Sequence, residues 1–386
     1  MTTDLSPVGF DPAEYRARVA HAQTGMAAQG LAALLLTTEP EVRYFSGYLT
    51  RFWESPTRPW FLIVPAAGDP VAVIPSIGAA LMGRGWVKDI RTWRAPAPED
   101  DGISLLAETL RDLAPGPVGV PMGHETHVRM PLADWARLEE MPGVDLVSDG
   151  GLMRRLRLVK SEAEITKIRA ACAVANRAFT RVPDEIRVGM GLDNVFRRFQ
   201  MLCLEEGADW VPYLAGGAEQ GGYADVISPA GPEPLVQGDV LMLDTGLVRD
   251  GYFCDFDRNF SIGPPSDAVQ TAHATLLEAT QAGFAAARPG ATAADLFHAM
   301  DRIVTGGAGG SDAGRLGHGL GMQLTEWPSL IPDDHTVLEP GMVLTLEPGI
   351  EIVSGRIMVH EENIVIRETG AEWLSDPAQP GIPAIE

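Results

Sequence analysis

The residues best suited to chemistry lie in one aspartate-rich segment. Residues 238–263, GDVLMLDTGLVRDGYFCDFDRNFSIG, contain Asp244, Asp255 and Asp257 among leucine, methionine and phenylalanine side chains. Carboxylates crowded into apolar surroundings repel one another, so a bound divalent cation would stabilise them. The alternative is an exposed acidic face of a sheet in a protein that is acidic throughout.

The same segment predicts a hairpin whose two antiparallel strands meet at Asp250-Gly251, because Asp and Gly both tolerate positive φ. A two-residue turn sets Asp244 opposite Asp257. A register slipped by two residues sets Asp244 opposite Asp255 instead. Either register gathers the three carboxylates on one face of the hairpin.

Three further candidate ligands lie nearer the C-terminus: His318 in GHGLGMQLTEWPS, Glu347 in LTLEPGI and Glu361 in MVHEENIVI. Glycines flank His318, which allows the backbone to approach a ligand closely. Glu347 follows a predicted strand at 342–346, and strand ends commonly present functional groups. Glu361 lies in the otherwise apolar predicted strand 357–366, where a carboxylate needs a partner.

These candidates supply four carboxylates and one imidazole. Such a set suits hard or borderline ions, namely Mn²⁺, Fe²⁺, Co²⁺ or Zn²⁺. Two ions about 3.5–4 Å apart can share a water and lower its pKa, which serves hydrolysis. The sequence therefore predicts two divalent metal ions held by Asp244, Asp255, His318, Glu347 and Glu361.

The composition narrows the class of protein. The chain has 386 residues and a formal net charge of −22, which disfavours binding to nucleic acid. No stretch has the pattern of a membrane span or an export signal. Its 3 cysteines show no pairing or CxxC pattern. We therefore expect a cytoplasmic protein that binds neither nucleic acid nor a membrane.

Two domains are expected to position the candidate ligands. In the first, helical patterns at 12–29 and 103–113 alternate with apolar strands, which favours an α/β architecture. The predicted strands are at 32–36, 60–64, 70–74 and 116–120.

A boundary follows near residue 155. Ser161 and Glu164 have the spacing of a capping box, which predicts a helix start. The helical pattern continues to residue 206, with predicted breaks at Val182-Pro183 and at residues 189–191. From residue 238 onward, strands and turns replace helices.

The order and spacing of the five candidate ligands resemble those of the M24 metallopeptidases, a family that includes methionine aminopeptidase, aminopeptidase P and prolidase, with creatinase as a non-metal relative. The resemblance covers nearly the whole chain, including the segment LRLVKSEAEITKIR. It implies an α/β creatinase-like N-terminal domain, residues 1–155, and an α+β pita-bread catalytic domain, residues 156–386.

The resemblance also implies roles for individual residues. Asp244 would chelate one metal, Asp255 and Glu361 would bridge the two, and His318 and Glu347 would complete the other. Glu347 corresponds to the family's proton shuttle. The implied protein is a homodimeric hydrolase of C–N bonds in short peptides, with Xaa-Pro dipeptidase or aminopeptidase P activity as the family default.

The chain departs from the family pattern at positions that are expected to contact the substrate. The peptidases usually have His-Glu where this chain has Thr325-Glu326, and a histidine upstream of Asp244 is also missing. Thr325, Glu326 and the adjoining Trp327 are therefore candidate substrate residues. The alternatives to a peptidase are an enzyme of a small nonpeptide metabolite, like creatinase or the lyases of dimethylsulfoniopropionate, and a noncatalytic scaffold.

Two more departures lie beside the predicted ligands. Asp257 stands where the peptidases have threonine, and it could orient Asp255, bind a metal, act as a base or pair with Arg258. We favour an orienting role. The usual arginine two residues before Glu361 is replaced by valine, and strand alternation points His360 away from the metals, into a packed or supporting position.

Overall fold

The chain divides into two units, one ending at Arg157 and the other beginning at Leu158. The structure, a computed structural model, describes residues 9–55, 59–311 and 314–386. Residues 1–8, where no export signal was predicted, lie outside the described part. Among the described helices, none has both the length and the apolar character needed to cross a bilayer.

The first unit is a mixed sheet with helices. The helices are α1 Pro12–Gln29, α2 Glu39–Ser46, α3 Ala79–Met82, α4 Ile103–Leu113, α5 Leu132–Glu139 and α6 Leu152–Leu158, and 3₁₀ turns lie at Arg51–Glu54 and Ser76–Gly78. The strands are β1 Ala33–Leu36, β2 Phe61–Pro65, β3 Val71–Pro75, β4 Asp89–Trp93, β5 Val118–Val120 and β6 Leu146–Ser148. They are ordered β4-β3-β2-β1-β5-β6. The predicted alternation of helices and strands is thus confirmed.

The second unit begins with the predicted capping box. Ser161 accepts a hydrogen bond from the Glu164 N–H, and the Glu164 side chain bonds back to the N–H of Ser161. These bonds satisfy backbone donors that a helix start leaves unpaired. The helices are α7 Glu162–Glu185, α8 Leu192–Glu205, α9 Asp267–Ala286 and α10 Ala293–Val304.

Two sheets and a small hairpin complete the second unit. One sheet is ordered β18-β10-β8-β7 with β9 beside β8, another is ordered β12-β11-β13-β16-β17, and β14 pairs with β15. The strands are β7 Trp210–Gln220, β8 Asp239–Arg249, β9 Tyr252–Phe253, β10 Phe256–Ile262, β11 His318–Gly319, β12 Glu326–Ser329, β13 Val343–Leu346, β14 Gly349–Val353, β15 Arg356–Val359, β16 Glu362–Arg367, β17 Gly370–Trp373 and β18 Ala384–Ile385.

The aspartate-rich hairpin forms as predicted. Asp250 and Gly251 have φ of 46° and 76°, the left-handed conformations that a tight turn of this type requires. Asp244 pairs with Asp257, which selects the first of the two registers considered. Every residue of β8 except Arg249 is buried, so the acidic residues on this strand are not an exposed acidic face.

Three predictions about the elements are wrong. Strands and turns do not replace helices from residue 238 onward, because α9 and α10 follow β10. Helix α7 continues through Pro183 to Glu185, because a proline in the last turn removes only one hydrogen bond of the helix. The predicted strand 357–366 is two strands, β15 and β16, interrupted at residues 360–361. The partner half of the aspartate hairpin is interrupted in the same way, at residues 254–255, between β9 and β10.

Candidate metal centre

The five predicted ligands come together in two groups that share one residue. Potential ligand atoms of Asp244, Asp255 and Glu361 all lie within 4.8 Å of one another, and so do those of Asp255, His318 and Glu347. The residues come from β8, from the two strand interruptions, from β11 and from the end of β13. Side chains far apart in sequence thus form one buried carboxylate-rich cluster.

His318 is placed by its glycine neighbours and by Thr345. A Cβ at Gly317 would collide with the Thr345 carbonyl oxygen, and one at Gly319 would collide with the carbonyl of Trp327, so only glycine fits these close approaches. The His318 N–H donates to the Thr345 hydroxyl at 3.0 Å.

The imidazole of His318 is oriented with one nitrogen toward the carboxylates. Nδ1 lies 2.8 Å from the carbonyl oxygen of Gly319, which can only accept a hydrogen bond. Nε2 is therefore the nitrogen available as a ligand, and it lies 2.9 Å from Glu347 and 3.2 Å from Asp255.

The electrostatics of the cluster show a deficit of positive charge. Burial and the charge of Asp255 raise the pKa of Asp244 well above its ordinary value. Burial and the charge of Asp244 do the same for the pKa of Glu361. Burial also raises the pKa of Asp255 to about 6, although His318 opposes the shift. Neutral carboxylic acids are thus favoured unless a cation is present.

For His318 and Glu347, in contrast, the pKa shifts favour the charged forms. Burial disfavours the charged imidazole, but Glu347 and Asp255 outweigh it and raise the pKa of His318 to about 10. Burial opposes ionisation of Glu347, but the adjacent His318 lowers the pKa of that carboxyl. In the metal-free protein, the protonated His318 thus supplies part of the positive charge that a bound metal ion would supply.

Asp244 carries the clearest sign of a missing partner. Its Oδ1 atom is buried, and no hydrogen-bond partner exists for it within residues 9–55, 59–311 and 314–386. Tyr213 is close enough to the same carboxylate for each group to shift the pKa of the other. A buried carboxylate oxygen without a donor is what a metal ligand leaves when the ion is not present, so the residues fit a divalent cation.

Asp257 and His360 lie behind the ligands rather than among them. Asp257 Oδ1 accepts the N–H of Glu361 at 2.8 Å and lies 3.2 Å from Nδ1 of His360. Glu362 approaches the other ring nitrogen of His360 at 3.3 Å, and Arg258 binds Glu362 at 3.1 Å. The four charged side chains form a buried group, which we call the balanced quartet: Asp257, Arg258, His360 and Glu362.

The candidate substrate residues have other contacts. Glu326 forms a buried ion pair with Lys160 at 3.1 Å and accepts the N–H of Met322 at 2.9 Å, so it holds the loop that precedes β12. Trp327 is half-buried and donates from Nε1 to Thr336 at 3.0 Å.

The remaining candidate, Thr325, accepts a hydrogen bond of 3.4 Å from Arg315. The charge of Arg315 acts against the raised pKa of Asp255 and adds to the lowering of the pKa of Glu347, which places this guanidinium near the carboxylate cluster.

Sequence reasoning missed several residues that hold or touch the cluster. Thr345 bonds to both His318 and Glu347. Its position two residues before Glu347, on the same face of β13, was a signal that could have found it. Tyr213 gave no local signal, because β7 lies beside β8 only through sheet pairing.

Comparisons with known proteins agree with this geometry. Residues 166–368 match the profile of metallopeptidase family M24, and residues 18–159 match the creatinase/prolidase N-terminal domain. The probable dipeptidase PepE of Mycobacterium bovis is 31% identical over 369 residues, which cover 94% of each chain. The Xaa-Pro dipeptidase of Pyrococcus furiosus is 31% identical over 226 residues, or 58% of this chain and 65% of that protein.

The fold agrees as well. The crystal structure of dipeptidase PepE from Mycobacterium ulcerans superposes with a TM-score of 0.83 and 29% identity over 98% of this chain and 99% of that one. The predicted creatinase-like domain and pita-bread domain are therefore confirmed. The chain belongs to metallopeptidase family M24 and is a metal-dependent hydrolase.

Proposed function

We propose that the protein is a dinuclear-metal dipeptidase that cleaves short peptides, including those with proline after the scissile bond. The observation that carries the proposal is the pair of ligand groups joined at Asp255. One metal ion would be held by Asp244, the other by His318 and Glu347, and both by Asp255 and Glu361. When bound, such ions supply Lewis acidity that polarises a carbonyl and lowers the pKa of a water.

Glu347 is the proton carrier in this proposal. Its side chain is 14% exposed, whereas those of Asp255 and His318 are 5% and 3% exposed. Glu347 is therefore the most solvent-accessible of these three ligands. Oε1 accepts a hydrogen bond from Thr345 and faces His318, which leaves Oε2 for proton transfer. In the metal-loaded protein His318 would be neutral, and the bound cations would instead keep Glu347 ionised and able to take a proton from the attacking water.

The later half of the reaction uses the same carboxylate. Oε2 of Glu347 gives its proton to the leaving nitrogen, which departs as an amine. Tyr213, beside Asp244, is half-buried, and burial together with the nearby carboxylates raises the pKa of its phenol. It therefore stays protonated and can donate a hydrogen bond to an oxygen of the substrate.

The substrate class is inferred from the relatives. The similar proteins carry the names dipeptidase and Xaa-Pro dipeptidase. Thr325, next to Arg315, replaces the histidine that the resemblance places there, which favours a second candidate: cleavage of an amide in a small nonpeptide metabolite.

Metal identity, assembly and compartment complete the proposal. Mn²⁺ is the ion we favour among Mn²⁺, Fe²⁺, Co²⁺ and Zn²⁺, and a homodimer in the cytoplasm is the expected state. Cys172, Cys203 and Cys254 are buried and unbridged, which supports a reducing compartment.

The test is a reconstitution assay. The protein is stripped with a chelator, loaded with each of the four ions, and assayed on Xaa-Pro dipeptides, other dipeptides and small amide metabolites. Metal-dependent release of an amino acid that is lost in Glu347→Gln supports the proposal. Turnover of only the nonpeptide amides selects the second candidate, and activity that survives stringent chelation contradicts both.

A further inference from the structure

The two residues assigned as bridging ligands occupy equivalent positions in the chain. Asp255 lies in the interruption between β9 and β10, and Glu361 lies in the interruption between β15 and β16. At an interruption, the ladder that fixes a strand's backbone is missing, so other groups must satisfy the N–H and C=O. The groups that do so determine where each ligand is held.

The backbone of Asp255 is held by one side chain. Oδ1 of Asn363 accepts the N–H of Asp255 at 3.0 Å, and Nδ2 of Asn363 donates to the carbonyl of Asp255. Asn363 is fully buried. Its own N–H donates to the Ser375 hydroxyl at 2.9 Å, so the holding residue is itself fixed.

The backbone of Glu361 is held in the corresponding way by two side chains. Oδ1 of Asp257 accepts the N–H of Glu361 at 2.8 Å, and Arg258 lies 3.3 Å from the carbonyl oxygen of Glu361, to which it donates. Asp257 is fully buried and is fixed in turn by Asn259, whose amide donates to Oδ2 at 2.9 Å.

The two arrangements are reciprocal. Asp257 follows Asp255 by two residues and holds Glu361, whereas Asn363 follows Glu361 by two residues and holds Asp255. Each of the two interrupted segments, β9–β10 and β15–β16, therefore contains one bridging ligand and the residue that fixes the other ligand. A displacement of either strand would move both ligands together.

We infer that Asp257 and Asn363 form a reciprocal clamp, a pair of positioning residues that set the distance between the two bridging carboxylates and hence the fit of a two-metal site. The inference rests on the proposed function, since it concerns ligands assigned there. It also gives Asp257 a specific role, in place of the alternatives of metal ligand and base. Groups that orient metal ligands contribute about 10–100-fold to metal affinity.

The test compares two clamp variants with a matched control. Asp257→Asn removes the charge that holds the Glu361 N–H, and Asn363→Asp removes the donor to the Asp255 carbonyl. The control is Asp301→Asn, because Asp301 is also buried in the second unit and accepts two backbone N–H groups, those of Gly310 and Ser311, at 2.7 and 3.0 Å.

Each full-length protein is stripped and titrated with Co²⁺ while calorimetry reports affinity and stoichiometry and the visible spectrum reports ligand geometry. Thermal unfolding of the metal-free protein is measured in parallel. We expect both clamp variants to bind Co²⁺ about tenfold or more weakly and with an altered spectrum. The metal-free melting temperature of Asn363→Asp should fall no further than that of the control, whereas that of Asp257→Asn should fall further, because Asp257 is also one of the two acids of the balanced quartet.

Wild-type affinity and spectrum in a folded clamp variant would overturn the inference, and so would weakening of the same size in Asp301→Asn. If one clamp variant does not fold, the other decides the question. If the wild-type protein itself binds fewer than two Co²⁺ ions per chain, the proposed dinuclear function fails, which is a different result from failure of the clamp.

Discussion

Two buried clusters of charged side chains adjoin each other in the second unit, and they differ in net charge. The carboxylate cluster has four acids against one imidazole, so even with His318 protonated it keeps an excess of three negative charges. The balanced quartet has two acids, Asp257 and Glu362, against Arg258 and His360. Burial disfavours a charged His360, but Asp257 and Glu362 raise its pKa to about 9.

The pKa shifts follow from this difference. Burial opposes ionisation of Glu362, but Arg258 lowers the pKa of that carboxyl, so the quartet supplies its own counter-charge. Burial and mutual repulsion raise the pKa of Asp244 and Glu361 in the other cluster. A buried group with internal cations is structural, whereas one without them needs a cation from solution.

The largest expected effect is on catalysis. Glu347→Gln removes the proton carrier, and we expect kcat to fall about 10³-fold, within the range of general acid–base catalysis. Steady-state kinetics on the best substrate checks this value. Glu351→Gln is the matched control, because Glu351 is an exposed glutamate on β14, the next strand along the chain. A loss below about tenfold would remove Glu347 from the proposed proton-carrying role.

The next effect breaks the quartet. Glu362→Gln leaves Arg258 and His360 buried with one acid fewer, and we expect the free energy of unfolding to fall by about 3 kcal/mol, as for other broken buried ion pairs. Urea unfolding of the metal-free protein measures the change. An unchanged unfolding midpoint would show that the quartet is not balanced as described.

A third effect is the pH dependence of metal binding. Asp255, with a pKa of about 6, must lose its proton to bind a metal, and His318, with a pKa of about 10, must do so as well. Affinity for Mn²⁺ should therefore rise at least about tenfold from pH 5 to pH 7, as measured by calorimetry. Affinity that is constant across this range would contradict the assignment.

Stability of the metal-free protein should show the opposite sign. The pKa of Asp255 is raised above its value of 3.8 in the unfolded chain, so the folded state binds this proton more tightly. The stability that Asp255 contributes is complete below 3.8 and is lost as pH rises through about 6. Unfolding curves recorded without metal across this window measure the loss.

The smallest effect relieves the unbalanced cluster. Asp244→Asn removes one of the repelling carboxylates, so the metal-free protein should gain stability, by about 1 kcal/mol, the usual size of a single-residue effect. The same variant should lose stabilisation by Mn²⁺, since a ligand is gone. Thermal unfolding with and without Mn²⁺ separates the two effects. Destabilisation of the metal-free protein would contradict the predicted repulsion.

Local signals made much of this structure predictable. The Asp250-Gly251 turn and the Ser161-Glu164 capping box depend on neighbouring residues alone, and both form as expected. The turn left two registers open, and the structure adopts the one that places Asp244 opposite Asp257. The five candidate ligands also come together in the structure. Their chemistry, and the resemblance of their order to that of the M24 family, identified them in the sequence.

What escaped prediction depends on contacts between distant strands. Asn363 bonds to a backbone 108 residues away, and no local pattern shows that an interrupted strand needs such a bond. Tyr213 comes near Asp244 through the pairing of β7 with β8. Glu326 was a candidate for the substrate, but its pairing with Lys160 depends on how segments 166 residues apart pack together.

The central claim is that the unbalanced cluster holds two metal ions. Diffraction from crystals soaked in Mn²⁺, recorded where manganese scatters anomalously, tests it directly. We predict two anomalous peaks about 3.5–4 Å apart, one beside Asp244 and the other beside His318 and Glu347, with Asp255 and Glu361 between them. A single peak, or none among these five side chains, would contradict the account.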